Sequence, residues 1–210
     1  MAEAVGLESP LAELPAAREG MGTPDQAGLL LMERPFLGYV NLRGAMHSAG
    51  LRDKVESVLA LSLPLRPNTV TLESQRLACW LGPDEWLVIT APGEQGRVLE
   101  ALRAALTGQH AAVSDVSGGQ TLIESAGRHA RDVLAKGCTL DLRPRAFPPG
   151  RCAQTLVAQC PVLILRAGSR DAFGVVVRRS FADYLWRWLV DAAQEYGLAV
   201  LPPQSQPGSD

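Results

Sequence analysis

The chain has 210 residues, 47% of them apolar and 20% charged, with a formal net charge of -2. A chain of this length buries roughly 70% of its unfolded surface without a disulfide or metal staple, so one large domain or two small intimate ones are expected. The near-neutral balance supplies no basic face for nucleic acid, and apolar runs such as PVLILR at 161–166 are strand length, far short of the ~20 residues that span a membrane.

The first ten residues, MAEAVGLESP, have neither a basic start nor an apolar stretch, so no secretory signal is expected and the chain is placed in the cytoplasm. Residues 1–28 read as a flexible segment of Ala, Glu, Gly and Pro, apart from ESPL, where Ser9 is suited to cap a short turn with Pro10 in its first position. FLGYVNLRG then reads as a strand. SAGLRDKVESVLAL places Leu51, Val55, Val58 and Leu59 at helical spacing. RLACWLG and EWLVIT are short strands around the reversing turn LGPDE. GRVLEALRAALTG is a helix ending at Gly108, and AAVSDVSG a further strand. In order this is β-α-β-β-α-β, the split arrangement of ferredoxin-like units.

A second α+β unit follows, with strand QTLIESAG and helix GRHARDVLAKG burying Ala130, Val133 and Leu134. The loop DLRPRAFPPGR cannot continue a helix, because each proline lacks a donor and fixes its φ. The strands CAQTLVAQ, PVLILRA and AFGVVVR lead into a last helix, RRSFADYLWRWLVDAAQEYG. There Phe181, Tyr184, Leu185, Trp188, Leu189, Ala192 and Tyr196 form an apolar stripe, Ser180 suits the N-cap and Gly197 the stop, over about 25 Å. Trp186 and Val190 fall outside that stripe. They mark either a wide buried face, or contact with the other half of the molecule, or an exposed ledge that docks a partner chain. The tail LPPQSQPGSD, residues 201–210, reads as disordered.

Few residues point to chemistry. Cys79, Cys138, Cys152 and Cys160 form no CxxC pair and have no zinc-like histidine spacing, so they read as buried free thiols. His47, His110 and His129 make no triad order with an acid, and SDVSGG at 114–119 is neither a nucleophile elbow nor a phosphate loop. Asp84 and Glu85 read as solvated turn acids. Arg143 with Arg145, and Arg178 with Arg179, suit ion pairing or interface contacts rather than phosphate. Gly118 and Gly119 are expected to bend the chain between two strands.

The runs SDVSGGQTLIESAGRHARDVLAKGCTLDLRPRAFPPGRCAQTLVAQCPVLILR and FGVVVRRSFADYLWRWLVDAA, with ESPL and LGPDEWL, closely resemble the gamma subunit of bacterial heterotetrameric sarcosine oxidase over about residues 7 to 193. That family is similar to the folate-binding part of glycine-cleavage aminomethyltransferases, whose DVS strand and helix-opening Gly look like Asp115, Val116, Ser117 and Gly127. In those enzymes a paired-Asp strand supplies the catalytic acid; here Cys160, Pro161, Val162 and Leu163 stand at the corresponding place.

The resemblance implies an oxidoreductase complex of alpha, beta, gamma and delta subunits that demethylates sarcosine with oxygen and tetrahydrofolate. Its products are glycine, hydrogen peroxide and 5,10-methylenetetrahydrofolate. It further implies that FAD, FMN, NAD, zinc and tetrahydrofolate reside in the other subunits and that this chain binds no cofactor or metal and has no catalytic residues. The alternative is a stand-alone tetrahydrofolate-binding one-carbon transfer protein. The expected organisation is an α+β fold of two small units: a flexible segment 1–28, a ferredoxin-like unit 29–116, an aminomethyltransferase-like unit 117–200, and a disordered tail 201–210. Trp186, Val190, Arg178 and Arg179 are the candidate subunit interface, and neither nucleic acid nor membrane is an expected partner.

Overall fold

The computed structural model describes residues 7–14, 17, 20–168 and 171–204. Strands β1 (Leu29–Arg34), β2 (Gly38–Gly44), β3 (Val70–Glu73), β4 (Arg76–Gly82), β5 (Glu85–Thr90), β6 (Ala111–Asp115), β7 (Gln120–Ala126), β8 (Arg151–Val157), β9 (Cys160–Arg166), β10 (Ala172–Arg178) and β11 (Leu198–Val200) divide between two sheets. The helices are α1 (Ala49–Leu59), α2 (Gln95–Ala105), α3 (Ala130–Ala135) and α4 (Arg179–Ala192).

The five-stranded sheet runs β3-β4-β5-β2-β6, all neighbours antiparallel. Its strand β5 lies between β2 and β4, which α1 connects, and α2 carries the chain from β5 to the far edge at β6; this is the split βαβ order with β3 added outside. Alternation along the strands sorts the side chains to two faces. Val40, Leu42, Ala78, Trp86 and Val88 pack beneath Leu51, Val55 and Leu59 of α1 and Val98 and Leu102 of α2. Tyr39, Leu77, Cys79, Leu87 and Ile89 turn the other way.

The six-stranded sheet runs β11-β1-β7-β10-β9-β8. Leu122, Leu163, Leu165 and Val176 meet the second face of the first sheet, while Ile123, Ile164, Val175 and Val177 lie under α3 and α4. The molecule is thus four layers, helices, sheet, sheet, helices, with an apolar seam in each of the three gaps. Strands β1, β3 and β11 are additions to the sequence reading. β1 is the first strand of the chain yet pairs with β7 and β11 rather than with β2.

Three sequence expectations are corrected. Residues 1–28 are not uniformly loose, because Leu11 and Ala17 are buried in the core beneath α3 and α4, and Met21 exchanges backbone hydrogen bonds with Val200 at 2.9 and 2.7 Å. The 201–210 tail begins ordered: Leu201 N donates to Leu31 O at 2.8 Å and Gln204 N to Glu33 O at 3.1 Å, which satisfies the outer edge of β1. Residues 1–6, 15, 16, 18, 19 and 205–210 of those two expectations lie outside the described residues. The last helix is shorter, about 21 Å, with Arg178 at the N-cap and Ser180 inside the first turn making no capping bond.

Its buried face is also rotated from the expected stripe. Ala182, Leu185, Trp186 and Leu189 are buried, whereas Phe181 and Tyr184 are 38% and 45% exposed. Spacings of 3, 4 and 7 fit both stripes. The small Ala182 and Ala193, both fully buried, let the helix approach the sheet on the Trp186 side.

Candidate functional site

The turn from β6 to β7 is where the chain leaves one sheet for the other. Ser117 N and Ser117 Oγ both donate to Asp115 Oδ1, at 2.9 and 2.5 Å, and Tyr39 N donates to Ser117 Oγ at 2.9 Å. A short 3-10 turn, Ser117–Gly119, follows. The serine and aspartate therefore fasten the crossover to β2, and the Gly pair bends the chain as expected.

Beside this turn a cleft of about 820 Å³ opens between the two sheets. Leu81 and Leu87 form one wall and Val162, Leu163 and Val176 the other. Its acids are Glu85 and Asp115. Glu85 accepts from Asn41 Nδ2 at 2.8 Å and pairs with Arg43 at 2.8 Å, and Asp115 holds the Ser117 turn. At the place where an aminomethyltransferase acid is expected, Pro161, Val162 and Leu163 line the cleft. Both carboxylates thus carry contacts within the local structure.

The candidate interface residues separate. Trp186, 2% exposed, belongs to the core, and Val190 is half-buried against it, so this pair takes the buried-face reading. Arg178 and Arg179 are exposed at the start of α4 and line a second hollow of about 670 Å³ with Glu8, Glu13 and Ser180. Arg179 donates to Glu8 O at 2.6 Å. Phe181 and Tyr184 continue this exposed strip along α4.

His129, which makes no triad order in the sequence, is part of a polar cluster. Its ring stacks on Tyr196 at 4.5 Å and its Nδ1 meets Asp132 Oδ2 at 2.8 Å. Lys136 lies over the same Tyr196 ring and pairs with Glu195, which raises the lysine and lowers the glutamate from their ordinary pKa values. These contacts fix both ends of α3, at His129 and Lys136, to the 3-10 turn Gln194–Tyr196 that follows α4.

Several buried polar groups escaped the sequence reading, the charged Glu33, Arg34 and Arg166 among them. Glu33 is 1% exposed and accepts from Ser9 Oγ at 2.5 Å and Thr121 Oγ1 at 2.8 Å. Burial pushes its carboxyl above the ordinary value, against the lowering effects of those two bonds and of Arg179. The available signal was a charged pair, Glu33 and Arg34, at the end of the apolar run LLLM. Among the described residues no three His, Cys, Asp or Glu side chains gather to hold a metal ion. No helix among them is long and apolar enough to cross a membrane.

The fold and the cleft define a two-sheet α+β protein of the aminomethyltransferase architecture whose cleft acids are engaged in structure. Aminomethyltransferase T of the glycine cleavage system from Bartonella henselae superposes with a TM-score of 0.68 at 16% identity, over 93% of this chain and 60% of that one, a likeness of fold. The family model for the sarcosine oxidase gamma subunit matches residues 43–195, and the chain belongs to that family. Sarcosine oxidase subunit gamma of Corynebacterium sp. (strain U-96) is 32% identical over 192 residues, 91% of this chain and 92% of the relative. The corresponding subunit of Arthrobacter sp is 37% identical over 180 residues, 85% and 87%. A chain in the heterotetrameric sarcosine oxidase of Corynebacterium sp. U-96, solved with pyrrole 2-carboxylate, aligns with a TM-score of 0.80 at 30% identity, over 90% of this chain and 96% of that one.

Proposed function

We propose that this chain is the gamma subunit of a cytoplasmic heterotetrameric sarcosine oxidase and that its role there is structural. The assembled enzyme demethylates sarcosine to glycine with oxygen and tetrahydrofolate, and alpha, beta and delta subunits hold its flavins, NAD, zinc and folate. Family membership supports the assignment. The observation that carries the structural role is the cleft: its two carboxylates are tied to Asn41, Arg43 and Ser117, and apolar side chains stand where a catalytic acid is needed.

The surface that serves assembly is the outer side of α4 near its start, where Arg178, Arg179, Phe181 and Tyr184 are exposed together. Two aromatic bodies flanked by arginines are the composition that recurs at the anchoring points of protein interfaces. Co-expression of the four chains with a tag on another subunit tests the role. Full recovery of the active oxidase when this chain is omitted overturns it; loss of assembly or of complex stability is the expected result.

A further inference from the structure

The cleft between the sheets and the hollow at the start of α4 adjoin. Gly118, Gly119 and Arg178 line both, so the β6 to β7 turn and the end of β10 form the ridge they share. The ridge is open: a Cβ on Gly118 or Gly119 would meet nothing within 4 Å, and neither residue needs a left-handed backbone. Arg178 follows Val176 by two residues on β10, which puts both on the face turned toward the first sheet, and Gln120 of β7 stands opposite Arg178 in register. Among the described residues Arg178 has no ion pair and Gln120 no side-chain hydrogen bond. The neighbouring acids of the cleft are engaged, Glu85 with Arg43 at 2.8 Å and Asp115 with Ser117 N at 2.9 Å, while Glu8 and Glu13 line only the hollow. Beyond the ridge Leu81, Leu87, Leu163 and Val176 make the cleft apolar. An uncompensated cation thus stands at the mouth of an apolar slot.

We propose that the cleft is a socket for an extended segment of a partner subunit, which sets an Asp or Glu carboxylate against Arg178 and Gln120 and an apolar side chain into the slot. The proposal rests on the structural role argued above and names the chemistry of what docks. A guanidinium takes a carboxylate through two parallel N–H bonds, and the Gln120 amide supplies a further donor. The socket is continuous with the exposed aromatics of α4, since Arg178 belongs to both. From Arg178 to Tyr184 the helix rises about 9 Å, a distance that about three extended residues cover. One segment therefore reaches from the cleft to Phe181 and Tyr184, with charge fixing its register and its apolar side chains giving it purchase.

The test uses the full chain, alone and in the four-subunit complex. Gly118→Cys places a thiol in open space on the ridge, whereas the native cysteines are buried. That thiol should react readily with N-ethylmaleimide in the isolated chain and about tenfold more slowly, or less, in the complex, because access governs the rate. Gly118→Leu obstructs the ridge and Arg178→Glu reverses its charge. Each should leave the thermal midpoint of the isolated chain unchanged and weaken co-purification by about tenfold or more, with Arg178→Lys giving a smaller loss. Equal reactivity in the two states overturns the proposal, as does wild-type co-purification of Gly118→Leu or Arg178→Glu. Slow reaction already in the isolated chain overturns it as well, because a small molecule or a second copy of the chain then fills the cleft. The reactivity ratio decides the matter even where the leucine or glutamate variant loses stability. Any of these failures can occur with the chain still needed for assembly, whereas the structural role itself fails only if the oxidase is recovered with the chain omitted.

Discussion

Ser9 Oγ donates to Glu33 Oε2 at 2.5 Å and at the same time accepts from Leu11 N at 3.0 Å, so one hydroxyl both closes the N-terminal turn and fastens it to β1. The turn it closes seats Leu11 in the core under α3 and α4. Ser9→Ala removes a bond to a charged acceptor and leaves the Leu11 donor unpaired, a cost of about 1.5–3 kcal/mol by chemical denaturation. Greater protease sensitivity within residues 7–14 is the accompanying sign; unchanged stability would contradict the anchoring role.

Glu33 also predicts a pH dependence. Its folded pKa is raised above the unfolded value, chiefly by burial. A carboxyl shifted in that direction gives its full contribution below the ordinary carboxyl range near ~4.3 and loses it as pH rises through the folded value. Glu33→Gln removes the titration while keeping an acceptor for Thr121. Denaturant midpoints at pH 4, 6 and 8 should therefore show the variant gaining on the wild type as pH rises. A constant difference across the three pH values would rule out a titrating Glu33.

Trp186 is the residue whose location most separates the two readings of α4. Buried beside Leu185 and Leu189, it should lose about 3–5 kcal/mol on substitution by alanine, through lost burial and the cavity left behind. The iodide-quenched fraction of the fluorescence should be no smaller in the alanine variant than in the wild type, because Trp80 and Trp188 are the partly exposed tryptophans. A fall in that fraction together with a near-neutral alanine variant would return Trp186 to the surface.

Much of the fold was legible because its periodicities are local. The strands around Val40 and Leu87 and the helices carrying Val55 and Leu102 follow from alternation and from spacings of 3 and 4. What was not legible is non-local. LLLM has no alternation to give it a face, so β1 could not be assigned to the β7 sheet, and LAV is too short to mark β11. The α4 stripe was misplaced because Tyr184 and Trp186 satisfy the same helical pattern, and only packing against the sheet chooses between them. For the candidate site, the apolar character of Pro161, Val162 and Leu163 is plain in the sequence, whereas their place in the wall of a cleft depends on how the two sheets pack. The commitment of Glu85 to Asn41 and Arg43 required the pairing of β2 with β5.

Gly127 offers a test of that long-range geometry. It has φ +106, and a Cβ added there would lie 2.8 Å from Gly28 O, the same carbonyl that accepts from His129 N at 2.9 Å. Gly127→Ala thus meets both an unfavourable backbone conformation and a clash at the entry to α3, a cost of about 2–4 kcal/mol. Thermal denaturation checks it, and a loss below the measurement error would mean the β7 to α3 turn can relax.

The exposed strip of α4 separates assembly from folding. Phe181 and Tyr184 are one helical turn apart, and Arg178 lies just before them, with no ion pair to it among the described residues. In the isolated chain, Phe181→Ser with Tyr184→Ser removes side chains that are already partly solvated, so stability should change by only about 0.5 kcal/mol. If these aromatics anchor the partner subunits, the same double variant should weaken co-purification by on the order of tenfold or more, with Arg178→Ala adding a smaller, salt-sensitive loss. The two measurements belong together, because a folding defect lowers both while an interface defect lowers only the second. Wild-type assembly by a stably folded double variant would move the docking surface away from this strip and leave membership of the family untouched.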